Sequence, residues 1–155
     1  MVDKKKSWKE KLSDSKNFPK VEKIEGKLVK KWGEGTVVIP APKEVDELMK
    51  KVPKGRLATI NQIRAKLAKK HKATISCPIC CGIFSNIAAH AAAEEITEGR
   101  KNITPFWRTL KSDGSLNPKY PGGVDFQADQ LKKEGFEIDR SHKIPRIKDF
   151  EKYLI

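Results

Sequence analysis

Short apolar clusters of two different periods alternate along this chain with polar joints rich in proline and glycine. Gly35-Thr-Val-Val-Ile39 is an apolar run with Trp32-Gly33 before it and Pro40 and Pro42 after it, which predicts a turn followed by a short strand. Pro42 suits the first turn of a helix, where its missing N–H does no harm. Val45, Leu48, Met49 and Val52 fall at i, i+3, i+4 and i+7, one apolar helical face that stops before Pro53. Thr59-Ile-Asn-Gln62 fits a capping box, in which the threonine hydroxyl accepts a free backbone N–H and the glutamine reaches back to the cap. A helix from Ile60 to about Lys70 follows, burying Ile63 and Leu67. Ser76-Cys-Pro78 predicts a further N-terminus, with Ser76 as cap and Pro78 in the first turn. That third helix runs to about Glu95 with Ile79, Ile83, Ile87 and Ala91 at regular spacing. Two helices joined by a short connection read as a helix-turn-helix.

Beyond Trp107 the pattern shortens. Trp107 to Lys111 and Leu116 flank a Ser-Asp-Gly-Ser turn and predict a β-hairpin, the wing of a winged helix. Val124, Ala128 and Leu131 give a last amphipathic helix, stopped by Gly135 in a C-cap position. Phe136 to Asp139 and Pro145 to Ile147 predict a closing hairpin, and an aromatic tail carries Phe150 and Tyr153. The expected fold is mainly α with small β elements, a winged helix-turn-helix without internal repeats.

Charge changes this picture along the chain. The 155 residues carry 33 Lys and Arg against 20 Asp and Glu, formally +13, a footprint suited to a polyanion, whether nucleic acid or acidic membrane. Residues 1–34 are lysine-rich and predict a basic, partly disordered N-terminal arm, leaving 35–155 as one domain, the winged helix-turn-helix with its C-terminal hairpin extension. Lys50 to Lys72 holds nine basic residues and no acid, whereas Ala73 to Gly99 holds three Glu and no Lys or Arg. The first stretch is the candidate for phosphate contact. The second sets the third helix, the one that would read DNA, against a phosphate backbone. No apolar run approaches the roughly 18 residues of a membrane span, and no signal-peptide pattern follows the basic start. A cytoplasmic, monomeric protein that makes no membrane contact is expected.

Cys77, Cys80 and Cys81 form a Cys-Pro-Ile-Cys-Cys run at a helix N-terminus. Three cysteines, two adjacent, are a poor disulfide framework and read as reduced thiols. The helix dipole lowers a thiol pKa there, which would make Cys77 or Cys80 reactive. A C-x-x-C also suits zinc, but there is no second pair, and His71, His90 and His142 do not stand at finger spacing. Small buried packing residues are the better-supported reading, and neither metal nor cofactor is expected.

The most informative stretch is Pro105-Phe106-Trp107-Arg108, followed by Ser112-Asp-Gly-Ser-Leu116 and by Tyr120-Pro-Gly122-Gly123. It resembles the active site of the alkylguanine-DNA alkyltransferases, whose Pro-Cys-His-Arg motif carries the acceptor cysteine; Phe106 and Trp107 stand in place of Cys and His. Upstream, Val52-Pro-Lys-Gly-Arg-Leu-Ala-Thr59 is similar to the family's Ile-Pro-Lys-Gly-Lys-Val entry into its helix-turn-helix. Gly82 matches the recognition-helix glycine of Ala-Val-Gly, and Glu134-Gly135 the pair that ends the last helix. From about Val45 to Gly135 the order of elements resembles the C-terminal, DNA-binding domain of that family and of the alkyltransferase-like proteins that lack the acceptor.

The resemblance implies an alkyltransferase C-terminal-domain-like fold, with double-stranded DNA, in the sharpest reading alkylated, as the partner and a repair protein as a further candidate. It also implies that alkyl transfer is lost, because Phe106 offers no nucleophile, Trp107 relays no proton, and Glu134 is left as a vestige of the relay. The implied DNA contacts are Lys54, Arg56, Thr59, Asn61, Gln62, Arg64, Ile79, Cys80 and Gly82. The implied base pocket is Phe106, Trp107, Arg108, Tyr120 and Pro121, where a base held out of the stack would meet aromatic walls.

Several positions depart from the family pattern. Ile79 stands where the family has an arginine finger, although an apolar side chain can also wedge a base step. Ile60 replaces a tyrosine and Pro121 a serine, and the interval from Gly82 to Pro105 is longer, residues 88–101 extending the recognition helix. Whether Phe106 and Trp107 line an open pocket or fill it is left open by sequence. Two functions compete: a DNA-binding alkyltransferase-like protein that recognises alkylated or flipped bases without transfer, and a protein-interaction or architectural module on the same scaffold with nonspecific nucleic-acid binding. An enzyme built on Cys80 is a third.

Overall fold

The structure, a computed structural model, describes residues 7–14 and 17–155. Along them run α1 (Trp8–Ser13), β1 (Lys20–Lys23), α2 (Leu28–Trp32), β2 (Thr36–Ile39), α3 (Pro42–Lys50), β3 (Ala58–Thr59), α4 (Ile60–Lys70), β4 (Ile75–Ser76), α5 (Pro78–Thr97), β5 (Thr109–Leu110), α6 (Gly123–Lys133), β6 (Ile138–Asp139) and β7 (Arg146–Ile147). Short 3-10 turns occupy Phe106–Arg108 and Phe150–Tyr153. Residues 1–6, 15 and 16 of the expected arm lie outside the described residues.

Local chemistry sets most helix ends. Pro42 occupies the first turn of α3, and the Glu44 carboxylate accepts the Ala41 N–H at 3.0 Å. α4 opens on its capping box: the Gln62 N–H donates to Thr59 Oγ1 at 3.3 Å, and the Thr59 N–H to Gln62 Oε1 at 3.1 Å. α6 gives way at Gly135, whose φ of +95° favours glycine. α5 opens one residue later than the sequence predicts. Its cap is Cys77, whose sulfur accepts the Cys80 N–H at 3.4 Å. Ser76 is drawn instead into β4, opposite Val38, with its hydroxyl 3.2 Å from the Cys81 sulfur.

The described part of residues 1–34 is built into the fold. β1 pairs antiparallel with β2, which pairs in parallel with β4, and Ile24 is buried beside Val37 and Cys77. α1 lies along α5: Trp8 stacks on His90 at 4.5 Å, the Lys9 N–H meets Glu94 at 3.1 Å, and the Lys9 ammonium lies 2.7 Å from Glu98. Leu12 packs on the main core. Two of the three glutamates that make Ala73 to Gly99 net negative, Glu94 and Glu98, thus help to hold α1. Over these residues the expected solvated arm is a docked one.

The main core joins α3, α4 and α5 around Phe106 and Tyr120, and a second gathers Leu57, Leu110, Leu116, Ala128 and Leu131; Trp107 packs against both. α5 turns its small residues inward, burying Cys81, Ser85, Ala88, Ala89, Ala91 and Ala92. Ile79 and Ile83 consequently face out, 58% and 53% exposed.

The wing differs from its expected form. Trp107 lies in a 3-10 turn, and β5 pairs in parallel with β3 rather than across the Ser112–Ser115 turn. Two sets of contacts account for the change: the Leu116 N–H donates to the Pro145 carbonyl at 2.9 Å, and Gln127 of α6 engages the flanking backbone. Its carboxamide accepts the Asn117 N–H at 2.8 Å and donates to the Trp107 carbonyl at 3.2 Å, taking backbone groups that a hairpin ladder would use. The closing hairpin does form, Ile138 opposite Ile147 and Asp139 opposite Arg146. Over the described residues the fold is mainly helical with three small sheets.

Candidate nucleic-acid interface

Phe106 is fully buried, 0% exposed. Its ring meets Trp107 edge-on at 5.3 Å and Tyr120 edge-on at 5.7 Å, and stacks with Phe126 at 5.9 Å. The position that the resemblance sets against the alkyltransferase acceptor is therefore filled by an aromatic cluster.

The neighbouring polar groups are engaged as well. Trp107 Nε1 donates to Glu134 Oε2 at 2.6 Å, and Arg108 Nε lies 2.9 and 3.0 Å from the two Glu134 oxygens. Arg108 Nη1 donates to the Val52 carbonyl at 2.9 Å, and the Gly55 N–H to Glu134 Oε1 at 3.2 Å. Burial alone would raise the Glu134 carboxyl, but the hydrogen bonds from Arg108, Trp107 and Gly55 outweigh it and hold the group below its ordinary value. Arg108, expected in the base pocket, belongs to this interior ion pair. Glu134 ties the Val52 to Gly55 entry loop to the turn at 106–108 and to the end of α6.

A cavity of about 350 Å³ opens beside Tyr120, lined by Ile60, Gly82, Ser85, Leu110, Lys111, Ser112, Asn117, Pro118, Lys119 and Tyr120. Its volume falls at the lower end of the roughly 300–1,000 Å³ typical of ligand sites. Burial carries the Tyr120 phenol up to about 12 against the opposing hydrogen bonds with Ser85 and Asn117. The hydroxyl therefore stays protonated, held between Ser85 and Asn117. Of the five residues expected to form the base pocket, Tyr120 lines this cavity. Phe106 and Pro121 face a separate apolar pit of about 200 Å³ with Ile96, Gly122 and Phe126, and Trp107 and Arg108 line neither. Ser85, Lys111, Asn117 and Lys119 were not singled out by sequence. The available signal was proximity along the chain, since Ser85 lies one turn beyond Gly82, and Asn117 and Lys119 immediately precede Tyr120.

The expected DNA contacts separate into three sets. Lys54 and Asn61 are exposed. Thr59 is buried in its cap, while Arg56 donates to the Leu154 carbonyl and Gln62 to the Ile155 carbonyl, each at 2.8 Å. Arg64 spans from the Ser76 carbonyl to Asn61 Oδ1, 3.3 Å to each. On α5, Ile79 and Gly82 face solvent and Cys80 is half-buried. Burial, followed by the contact with the Cys77 thiol, pushes Cys80 up to about 12, and burial raises Cys81 as well. These thiols are held protonated, contrary to what a helix N-terminus alone would do. Among the described residues no group of three His, Cys, Asp or Glu is placed to hold a metal, and no helix is long and apolar enough to cross a membrane.

Gly82 is different from the other glycines. The others have φ between +62° and +127°, whereas Gly82 has helical backbone, and a Cβ built on it would meet nothing within 4 Å.

The order and packing of the elements define a mainly helical, helix-turn-helix domain with the fold of the alkyltransferase-like proteins. The chain is similar to Atl1 of S. pombe, solved in complex with damaged DNA containing O6-carboxymethylguanine, at 19% identity and a TM-score of 0.53 over 74% of this chain and 93% of that one. A second structure, S. pombe ATL in complex with DNA, matches at 18% identity and a TM-score of 0.52 with the same coverage. No family model matches the chain, and no curated protein matches it.

Proposed function

We propose that this protein binds double-stranded DNA through the N-terminal half of α5 and receives a base held out of the stack in the cavity beside Tyr120, without transferring an alkyl group. The observation that carries this reading is Gly82. A glycine inside a helix costs about 0.5–1 kcal/mol relative to alanine, and here neither its backbone conformation nor a neighbouring atom requires it. It lies between exposed Ile79 and Ile83. Bare backbone admits close approach of a partner, and apolar side chains beside it can wedge base steps from the minor groove.

The acidic half of α5 does not oppose this docking. At about 1.5 Å of rise per residue, Glu94 lies about 18 Å from Gly82, beyond a Debye length of about 8 Å at physiological salt, and Lys9 engages both Glu94 and Glu98. Transfer chemistry has no carrier, since Phe106 is a buried hydrocarbon ring and Glu134 is engaged by Arg108 and Trp107. The likeness to Atl1 bound to O6-carboxymethylguanine DNA supports an alkylated base as the ligand, and three free thiols support a cytoplasmic setting. The filled acceptor position favours a second reading, an architectural scaffold with no taste for lesions.

Anisotropy titration against a duplex carrying one O6-alkylguanine and against its unmodified twin, at two salt concentrations, separates the readings. Preference for the lesion duplex is expected. Equal, salt-sensitive binding removes the base pocket and leaves the scaffold; no duplex binding at low salt removes the proposal.

A further inference from the structure

We propose that α1 is the second wall of the DNA-binding face, the trough between α1 and the N-terminal half of α5 seating the sugar-phosphate backbone of one strand with Lys11 and Lys119 on its phosphates. This rests on the reading of α5 above and extends it to a segment that the alkyltransferase resemblance does not reach.

The trough encloses about 520 Å³, with Trp8 and Lys11 on one side, Ile79, Gly82 and Ile83 along α5, and Lys119 at its end. None of its lining residues is acidic. Its chemistry suits a nucleic-acid strand: apolar side chains meet deoxyribose C–H faces, and ammonium groups at the edges meet phosphates. A protein partner would use the isoleucines but would gain nothing from two lysines unless it were itself acidic there.

The frame is also fixed. Trp8 stacks on His90, and His90 Nε2 lies 3.0 Å from the Lys119 carbonyl oxygen, so α1, α5 and the loop before Tyr120 are tied at one point. The Lys11 ammonium sits 4.2 Å from the centre of the Trp8 ring, a contact that restrains the side chain and leaves its charge in place. Lys9, two residues earlier, faces the glutamates of α5. α1 thereby screens the acidic end of α5 with one lysine and presents another to the trough.

Each phosphate contact contributes about 0.9 to the slope of log K against log salt for duplex DNA. Anisotropy titration of a plain duplex across a salt series is therefore expected to lose about 0.9 of slope for Lys11→Ala, the same for Lys119→Ala, and about twice that for the pair. Thermal melting followed by circular dichroism checks the fold; where Lys11→Ala loosens α1, Lys11→Gln keeps the aliphatic stem and reads the same slope. An unchanged slope in the folded double variant overturns the proposal, and if Gly82→Ala still weakens duplex binding in the same assay, the reading of α5 stands without it. A wild type that binds no duplex at low salt overturns both.

Discussion

Phe106 and Glu134, which the resemblance sets against the nucleophile and the relay of an alkyltransferase, both have their side chains in the interior. Glu134 is held below the ordinary carboxyl value because, against the penalty of burial, Arg108, Trp107 and the Gly55 N–H all donate to its ionised form. Its contribution to stability is complete above the unfolded value near 4.5 and is lost as pH falls through the lower folded value, because the unfolded chain takes up the proton first. Glu134→Gln is expected to cost about 1.5–3 kcal/mol at neutral pH by weakening the charge-assisted hydrogen bonds of half-buried Arg108, and to flatten the fall of melting temperature on acidification below about pH 5. Thermal melts of both proteins between neutral pH and pH 3 test this; equal acid slopes would remove Glu134 as the titrating group. That a phenyl ring at position 106 offers no nucleophile was legible in the residue itself. That Arg108 is unavailable to a base pocket was not, because its partner Glu134 is close in space and remote in sequence.

At the scale of elements, α5 is more exposed over its first turns than stability alone would choose. Gly82→Ala should raise helix stability by about 0.5–1 kcal/mol, since the new methyl meets no atom of the protein, while weakening duplex binding by standing in the contact. Denaturant unfolding and anisotropy on the same preparation check both signs, and unchanged binding would take Gly82 out of the interface. Helices whose ends follow from local chemistry were readable in sequence: Pro42 opens α3, Thr59 with Gln62 caps α4, and Gly135 closes α6. The wing and α1 were not. Gln127 intercepts the hairpin from another helix, and α1, six residues long, is too short to hold by propensity and depends on His90, Glu94 and Glu98. Periodicity placed the α5 isoleucines on one stripe without saying that alanines would take the inside.

Across the whole molecule, a set of exposed lysines stands apart from the interior aromatic cluster, while Trp8 carries the Lys11 ammonium over its ring. Lys54, Lys66, Lys69 and Lys119 are exposed, whereas Phe106, Trp107, Tyr120 and Phe126 interlock behind the cavity wall. The chain contains three tryptophans, and their surroundings differ: Trp107 is tied to Glu134 inside, Trp32 packs on the small core beneath β2, and Trp8 lines the trough. Indole emission should therefore drop on adding duplex in wild type and stay constant in Trp8→Phe; a drop that survives the substitution would place the responding ring elsewhere. The docked helix thus makes the molecule its own optical gauge, with one lamp set at the edge of the surface being filled and two others shielded from it as an internal reference.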